Sequence, residues 1–517
     1  MNAPTVSARS GPCCSRALLV ALFWLGCISL APSATVRLPE TAERALATVT
    51  ADALRVHVEA LASDAMEGRG VGHPGNGRAE RYIADALRAA GVAPAAGNSY
   101  LQPVRIFQPR LAPGGKLTAR TAGGRVLAEL HVGRDFYPLP PSLPGTVSGR
   151  VVFAGHGISA PALDYDDYAD LDARGAIAIV LDEAPAKLLG GLDDPQRTEL
   201  NSVERKIRDA DARGVTAVIV VKAYLEELTS VWPASTSVRS ASYRLAADGA
   251  RLPVAAVSEQ AARPLRAALG AGGRVEATLT PGVTSEPITV NNVVGIMAGR
   301  EPERGEMVVV GAHLDHDGID ADGRIYNGAD DNASGTAAVL TAAAAFARAA
   351  QAGERPARAI VFALWNGEEK GSLGAESFAA APQPPGEVVA NINLDMVGRP
   401  APEGAQVVHL LGYTYSADLA RIASAAGEGL GLDIREDYDT DTQNLVQRSD
   451  NWAFLKRGVP AIFFTTGLHP DYHTPNDDAD KIDYAKLERI TKLASRTAWV
   501  AADGAAPRFM RRGDARR

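Results

Sequence analysis

The chain has 517 residues, more than one hydrophobic core usually serves, so we expect two or three structural units. Hydrophobic residues make up 46% and charged residues 22%, a balance that excludes a disordered, collagen-like or polytopic membrane protein. The formal net charge of -8 argues against nucleic acid as a partner.

The first 34 residues have the pattern of an export signal. Arg9 and Arg16 precede an uncharged stretch, 17–31, that is shorter than the roughly 20 residues of a membrane-spanning helix. We therefore predict a signal peptide over 1–34 and a periplasmic or secreted protein. Lipid attachment at Cys27 stays open as an alternative, because a Leu-Gly-Cys sequence ends there, and it is the one route to a membrane.

All three cysteines, Cys13, Cys14 and Cys27, lie in this leader. The rest of the chain can therefore form neither a disulfide framework nor a thiolate metal site. After the leader, apolar residues at helical spacing predict one helix over 41–63 and, beyond a glycine-rich loop, a second over 78–91.

A proline cluster at 137–144 predicts a boundary, after which short β-branched runs alternate with helical stretches. We predict a separate small α/β domain over 141–284. It resembles the protease-associated (PA) domain in the GHGI sequence at 155–158 and the DYDDY sequence at 164–168. We interpret His156 as a structural or surface residue.

From 285 onward strands and helices alternate regularly. Predicted strands at 307–312, 359–365, 388–395 and 459–466 are separated by helices, which is typical of a largely parallel mixed sheet covered by helices on both faces. Ligands of such sheets bind at the carboxyl ends of the strands.

Metal-ligating side chains follow these strands. His313 and Asp315 end the first strand, and a Gly-Ala-Asp-Asp-Asn loop follows. Glu368 and Glu369 follow the next strand, and further polar residues follow the last two. Each motif alone has an ordinary structural explanation, such as a helix cap or solvated charge. Their joint occurrence at successive strand ends instead indicates a site for hard and borderline metals.

The ordered set of His, Asp, Glu-Glu, Asp and His resembles the dizinc peptidases of family M28, over 50–105 and 290–500. The resemblance implies a zinc-exopeptidase fold, of the phosphorylase/hydrolase-like kind, and two zinc ions per chain. It implies that His313 and Asp395 bind one zinc ion, that Glu369 and His473 bind the other, and that Asp331 bridges them. Glu368 is then the general base and acid.

Elementary chemistry supports these roles. Two cations close together require an anionic bridge, and a carboxylate outside the metal ligands can carry a proton from water to the leaving amine. Asp315 is expected to accept the second N–H of His313. Tyr472 resembles a tyrosine that stabilises the oxyanion, and the family commonly has a cis bond at the position of Asp331-Asn332.

The remaining histidines are interpreted as structural, and Arg399 as part of an ordinary ion pair. They are His57, His73, His131, His316, His409 and His469.

We therefore expect an exported dizinc exopeptidase, most simply an aminopeptidase acting on peptides or proteins through a metal-bound hydroxide. Its peptidase domain comprises 35–140 and 285–505, and a basic tail covers 506–517. A zinc carboxypeptidase, a glutaminyl cyclase and a metal-free receptor-like protein are the alternatives. A carboxypeptidase needs several arginines in its pocket, and only Arg399 and Arg448 are placed for that by sequence.

Overall fold

The computed structural model describes residues 37–95, 97–192, 194–225, 243–245, 251–439 and 443–511. The predicted signal peptide, Cys27 and the second half of the basic tail lie outside these residues.

Helices and strands alternate along most of the described chain. The helices are α1 (Glu40–Leu46), α2 (Ala51–Leu61), α3 (Pro74–Ala89), α4 (Ala186–Leu189), α5 (Asp194–Asn201), α6 (Val203–Ala212), α7 (Glu259–Gly270), α8 (Gly335–Gln351), α9 (Leu373–Ala380), α10 (Ala417–Ala426), α11 (Asn451–Leu455) and α12 (Tyr484–Asp503). The strands are β1 (Ala93–Pro94), β2 (Leu101–Leu111), β3 (Lys116–Thr121), β4 (Val126–His131), β5 (Phe136–Pro138), β6 (Val147–Phe153), β7 (Ser159–Ala160), β8 (Tyr165–Asp166), β9 (Ile177–Leu181), β10 (Ala217–Lys222), β11 (Arg244–Leu245), β12 (Val254–Ser258), β13 (Val275–Thr280), β14 (Val283–Met297), β15 (Glu306–His313), β16 (Gly318–Ile319), β17 (Ile325–Tyr326), β18 (Ala359–Trp365), β19 (Glu387–Leu394), β20 (Val407–Leu411), β21 (Asp433–Arg435) and β22 (Ala461–Thr465).

Within the described residues, the larger sheet has ten strands in the order β11-β2-β14-β18-β15-β19-β22-β20-β21, with β1 paired to β14. Its central strands β18, β15, β19 and β22 are parallel. The neighbouring β14 and β20 pair antiparallel to this group. The predicted mixed α/β sheet is confirmed, with its longest parallel run at the centre.

Helices cover both faces of this sheet. Alternate residues of β15 point to opposite faces, so Val308 and Val310 join one core and Met307 and Val309 join the other. The first core contains buried residues of α1, α2, α3, α8, α10 and α12, and the second contains those of α9 and α11. The stretch 329–351, which includes α8, is apolar enough to cross a membrane, but 83% of its most apolar window is buried in the protein.

The smaller sheet has the order β4-β3-β13-β6-β9-β10-β12-β5 among the described residues. It contains β3 to β5, so it begins at Lys116, which corrects the predicted boundary at 141. The pairing explains the error, because β3 pairs with β13 and β5 with β12, far along the chain. Apart from the two-residue strand β11, which pairs with β2, the chain leaves the larger sheet after Leu111 and returns at Val283, and Leu111 and Val283 are paired. The smaller unit is thus inserted at one point.

The predicted helix over 41–63 is two helices. The first ends at Leu46, and the second begins after Thr50, whose side chain accepts a hydrogen bond from the backbone N–H of Ala53 at 3.3 Å. Threonine at this position is a favourable N-cap, which the apolar periodicity did not reveal.

Candidate metal centre

The central strands deliver the polar side chains to one edge of the sheet. His313 is the last residue of β15 and pairs with Trp365, the last residue of β18. Asp395 follows β19, and the 366–369 turn follows β18. Because these strands are parallel, their carboxyl ends meet at the same edge.

One donor group consists of His313, Asp331 and Asp395. The Nε2 atom of His313 lies 3.3 Å from Oδ1 of Asp331 and 3.3 Å from Oδ1 of Asp395. Two ligands bound to a tetrahedral ion at about 2.0–2.2 Å lie roughly 3.3 Å apart. The separations therefore fit one ion between these three side chains.

A second donor group contains His473, Glu369, His316 and again Asp331. The Nε2 atom of His473 lies 3.0 Å from Oδ2 of Asp331 and 3.3 Å from Oε2 of Glu369. The two oxygens of Asp331 thus face different groups, which is the geometry of a bridging carboxylate. All five predicted ligands lie together.

The main chain around Asp331 is fixed by several hydrogen bonds. The backbone N–H groups of Asp330 and Asp331 donate to Oδ2 of Asp477 at 2.9 and 3.0 Å. The amide of Asn332 donates to the carbonyl of Leu394 at 2.9 Å, which ties the loop to the end of β19. The Asp331-Asn332 peptide bond is cis, as predicted.

The centre is electrostatically negative. Burial alone would raise the pKa of Asp331, but His316 and the hydrogen bonds with His313 and His473 hold this pKa well below its usual range. Burial lowers the pKa of His473, yet Asp331 and Glu369 outweigh burial and raise it to about 9. Such a field attracts cations.

Hydrogen bonds orient the predicted ligands. The Nδ1 atom of His313 lies 3.1 Å from the backbone carbonyl of Asp315, and Nδ1 of His473 lies 3.3 Å from Oδ2 of Asp317. Ser449 Oγ donates to Oδ2 of Asp395 at 2.7 Å. Each of these ligands therefore has one atom facing the donor group and another held from behind.

The carboxylate of Asp315 has a different role from the predicted one. It does not accept the His313 N–H but receives three backbone N–H groups of the 367–369 turn, from Gly367 at 2.8 Å, Glu368 at 3.0 Å and Glu369 at 3.3 Å. Asp315 thus orients the turn that carries both glutamates.

Glu368 lies outside both donor groups and lines a cleft of about 450 Å³. Burial raises the pKa of Glu368 well above its usual value, and Asp450 and Glu369 add to this while His313 opposes it. A carboxyl group with a raised pKa beside a metal centre can both accept and donate a proton.

Tyr472 lines the same cleft, and its ring lies 4.0 Å from that of His473, centroid to centroid. Its hydroxyl accepts a hydrogen bond from Arg448 at 3.4 Å. Burial, then Asp331 and Glu369, raise the pKa of Tyr472, so the hydroxyl keeps its proton for donation. The cleft also contains the apolar side chains of Met396, Leu445, Phe463 and Leu468.

Sequence reasoning missed two residues of the centre. His316 was interpreted as structural, but it is completely buried within the second donor group. Arg69, in the glycine-rich loop, is 1% exposed and donates to the carbonyls of Leu314, Asn327 and Gly328. The spacing His-x-x-His was the signal for the first, whereas no local pattern marked the second.

The other histidines lie in separate environments. His57 contacts Tyr82, His409 lies between Asp437 and Glu403, and His469 lies 3.3 Å from Asp330. Arg399 forms an ion pair with Asp471 at 2.9 Å, as predicted.

Known proteins resemble this chain in sequence and fold. Residues 292–498 match the model of the family described as Peptidase family M28. A probable leucine aminopeptidase of Arthroderma otae is 30% identical over 201 residues, 36% of this chain and 52% of the relative. Aminopeptidase YwaD of Bacillus subtilis is 24% identical over 368 residues, 68% of this chain and 69% of the relative. The solved aminopeptidase from Aneurinibacillus sp. strain AM-1 has a TM-score of 0.50 at 21% identity, over 90% of this chain and 97% of that chain.

The sheet and the paired donor groups at its edge define an α/β protein with a two-metal centre. The family match includes β15, β18, β19 and β22 with all five predicted ligands, and this part of the chain belongs to peptidase family M28. The chain spans about half the length of the fungal leucine aminopeptidases it matches.

Proposed function

We propose that this protein is a dizinc aminopeptidase that hydrolyses N-terminal peptide bonds. The observation that carries the proposal is Asp331, whose two oxygens face two imidazole-carboxylate groups at 3.0 and 3.3 Å. Aminopeptidases among the sequence relatives support it.

The donor set suits zinc. His313 with Asp395 and His473 with Glu369 would hold one ion each, with Asp331 shared, so each ion has three protein ligands and room for substrate. Oδ1 of Asp395 is buried and, within the described residues, has no hydrogen-bond partner, which suits an atom that binds a cation. Bound zinc supplies Lewis acidity, which lowers the pKa of water and polarises a carbonyl.

The residues of the cleft supply the proton transfers. Glu368 accepts a proton from the attacking water and donates it to the leaving amine. The hydroxyl of Tyr472 donates a hydrogen bond to the carbonyl oxygen as negative charge develops on it.

The charges of the cleft favour a free amine over a free carboxylate. Glu368, Asp331 and Asp395 line it, and among the described residues that line it Arg448 is the single arginine. Arg399, the other arginine considered, is engaged by Asp471. The cleft therefore offers a C-terminal carboxylate a single guanidinium partner, which favours an aminopeptidase over a carboxypeptidase.

The apolar wall of the cleft indicates the class of N-terminal side chain. Met396, Leu445, Phe463 and Leu468 lie beside the charged groups. We propose that an aliphatic or aromatic side chain is bound there, since burying it contributes roughly 25 cal/mol for each Å² of apolar surface.

The inserted unit, which we propose to be a PA domain, limits access to the cleft. Its helix α5 borders a space lined also by Asn444 and Gln447, next to the cleft residues Leu445 and Arg448. Tyr415 donates a hydrogen bond to Asp194 of this helix at 3.3 Å. This arrangement favours short peptides.

We also propose that the protein is exported. The basic residues followed by the apolar stretch 17–31 support this. Expression in a bacterial host, followed by fractionation and intact mass of the mature chain, tests it. Cleavage near Ala31 or Ala34 supports a signal peptide, an acylated Cys27 shows the lipid anchor, and an unprocessed cytosolic chain refutes export.

A substrate panel with metal analysis tests the activity. Leucine p-nitroanilide and peptides blocked at either end are assayed with and without chelator, and zinc per chain is measured. Two zinc ions and chelator-sensitive release of free N-terminal residues are expected. Cleavage of N-blocked peptides alone would show a carboxypeptidase. One zinc ion per chain together with cyclisation of N-terminal glutamine would show a glutaminyl cyclase, and a protein without zinc would be a binding protein.

A further inference from the structure

His316 is a histidine of the centre without an assigned role. Its Nδ1 atom lies 2.7 Å from Oε1 of Glu369 and 3.7 Å from Oδ2 of Asp331. Its ring meets that of His473 edge to face, with centroids 5.4 Å apart. The imidazole therefore directs one nitrogen into the second donor group.

The surrounding backbone is shaped around this ring. A Cβ atom at Gly328 would lie 2.4 Å from Cδ2 of His316, so only glycine fits beside the imidazole. Gly328 has φ +58°, and its carbonyl accepts a hydrogen bond from buried Arg69 at 2.9 Å. The position of His316 is thus determined by its neighbours.

The hydrogen bonding of the second ring nitrogen, Nε2, distinguishes a histidine that binds a metal from a histidine that orients a metal ligand. A histidine that binds a metal almost always donates its other N–H, as His313 does to a carbonyl and His473 to Asp317. In the described part of the chain, Nε2 of His316 is buried and has no hydrogen-bond partner. If Nδ1 bound a metal, the buried Nε2 would carry the proton and have no partner, which is costly, so Nδ1 carries a proton toward Oε1 of Glu369.

We infer that His316 is a positioning residue for Glu369. Its Nδ1–H donates to Oε1, which leaves Oε2 of Glu369 facing His473 and the metal position between them. The inference rests on the proposed metal function. It makes the two metal positions unequal, because the carboxylate of Glu369 is held by an imidazole whereas Asp395 is held by the Ser449 hydroxyl.

Metal binding to the purified full-length protein tests this role through three variants. His316→Ala removes the donor, and His316→Asn places an amide N–H near the position of Nδ1. His57→Asn is the matched control, since the hydrogen-bond partner of Nδ1 of His57 is Tyr82, at 2.9 Å, outside both donor groups. Zinc affinity is measured by competition with a chelator, and cobalt(II) absorption reports the ligands of each ion.

We expect H316A to bind one of its two ions about 10–100-fold more weakly and the other ion normally. H316N should retain both affinities and the wild-type cobalt spectrum, and H57N should match wild type. If H316A does not fold, H316Q replaces it, because its longer amide reaches the Nε2 position and should lose the same affinity.

Three results would overturn the inference. They are unchanged affinities in H316A or its H316Q substitute, equal losses in H316N and H316A, and a cobalt spectrum of H316N that shows the loss of a nitrogen ligand. A wild-type protein that binds no metal pair would instead refute the proposed function itself.

Discussion

Glu368→Gln isolates the proton carrier because it preserves the shape of the side chain. Glu368 belongs to neither donor group, and the hydrogen bond that fixes its turn comes from its backbone N–H, 3.0 Å from Asp315. We therefore expect E368Q to keep two zinc ions. Burial raises the pKa of Glu368, so a neutral amide should be tolerated at least as well as the carboxylate, and the melting temperature should not fall.

The rate should fall steeply. A positioned acid-base group contributes about 10²–10⁴-fold, equivalent to about 2.7–5.4 kcal/mol of barrier. Glu368 serves both proton transfers, so we expect a loss near the upper end, in kcat more than in KM, with leucine p-nitroanilide as substrate. In wild type, activity should rise as pH rises through the pKa of Glu368, and this limb should vanish in the variant.

Glu369→Gln is the matched control for that experiment. Glu369 is the adjacent residue in the same turn, but its Oε2 lies 3.3 Å from Nε2 of His473 in the second donor group. E369Q should therefore lose zinc as well as rate. A zinc-loaded E368Q that turns over within tenfold of wild type would refute the proton-transfer role, and equal metal loss in both variants would refute the division of labour between the two glutamates.

Three further variants follow from other contacts. Asp331→Asn removes an anionic oxygen from both donor groups, so zinc per chain should drop below two by elemental analysis, and retention of both ions would exclude a bridge. Ser449→Ala removes the hydrogen bond to Asp395 and should weaken one ion about 10–100-fold in chelator competition, leaving the other unchanged; a loss at neither position would contradict this. Buried Lys206 has its pKa lowered by burial to about 8, so the unfolded chain binds more protons between pH 8 and 10.5. In denaturant titrations, the free energy of unfolding of wild type should therefore rise between pH 8 and 10.5 by on the order of 3 kcal/mol more than that of Lys206→Met. The same pH dependence in both proteins would refute this.

Much of the proposed ligand set could be predicted because His313, Glu369 and Asp395 lie at the ends of strands that the sequence marks clearly. The runs at 307–312 and 359–365 are apolar throughout, as strands buried on both faces must be, and the structure has them at Glu306–His313 and Ala359–Trp365. Once these strands are known to be parallel neighbours, their carboxyl ends must lie at the same edge of the sheet. The grouping of His313 with Asp395 then needs no knowledge of side-chain contacts.

The contacts behind the donors were not predictable in the same way. Asp315 and His316 lie next to each other in sequence, yet one binds the 367–369 turn and the other binds the Glu369 carboxylate. Which partner each side chain reaches depends on rotamers and on the path of a loop more than fifty residues away. Spacing identifies which residues are near the centre, but not what each one contacts.

The residue at which the inserted unit begins could not be predicted from the sequence either. The proline cluster at 137–144 resembles a boundary, but β5, Phe136–Pro138, pairs with β12 inside the smaller sheet. Prolines at the end of an edge strand cost no ladder hydrogen bond, so they do not mark where a domain starts. The start of the unit is instead determined by strand pairing, because β3 and β5 pair with strands more than a hundred residues later in the chain.

The glycine-rich loop explains why the metal centre needs residues on both sides of the insertion. Every nitrogen of the buried Arg69 guanidinium donates to a backbone carbonyl, including those of Leu314 after β15 and Gly328 before Asp331. Burying this cation costs several kcal/mol unless its donors are satisfied. The glycine-rich loop, the residues after β15 and the residues before Asp331 are therefore ordered together. Asn76 and Asn366 exchange amide hydrogen bonds at 2.9 and 3.1 Å, which fixes the turn before Glu368 from the same side. The N-terminal segment therefore serves as the support of the centre, although it contributes none of the proposed ligands.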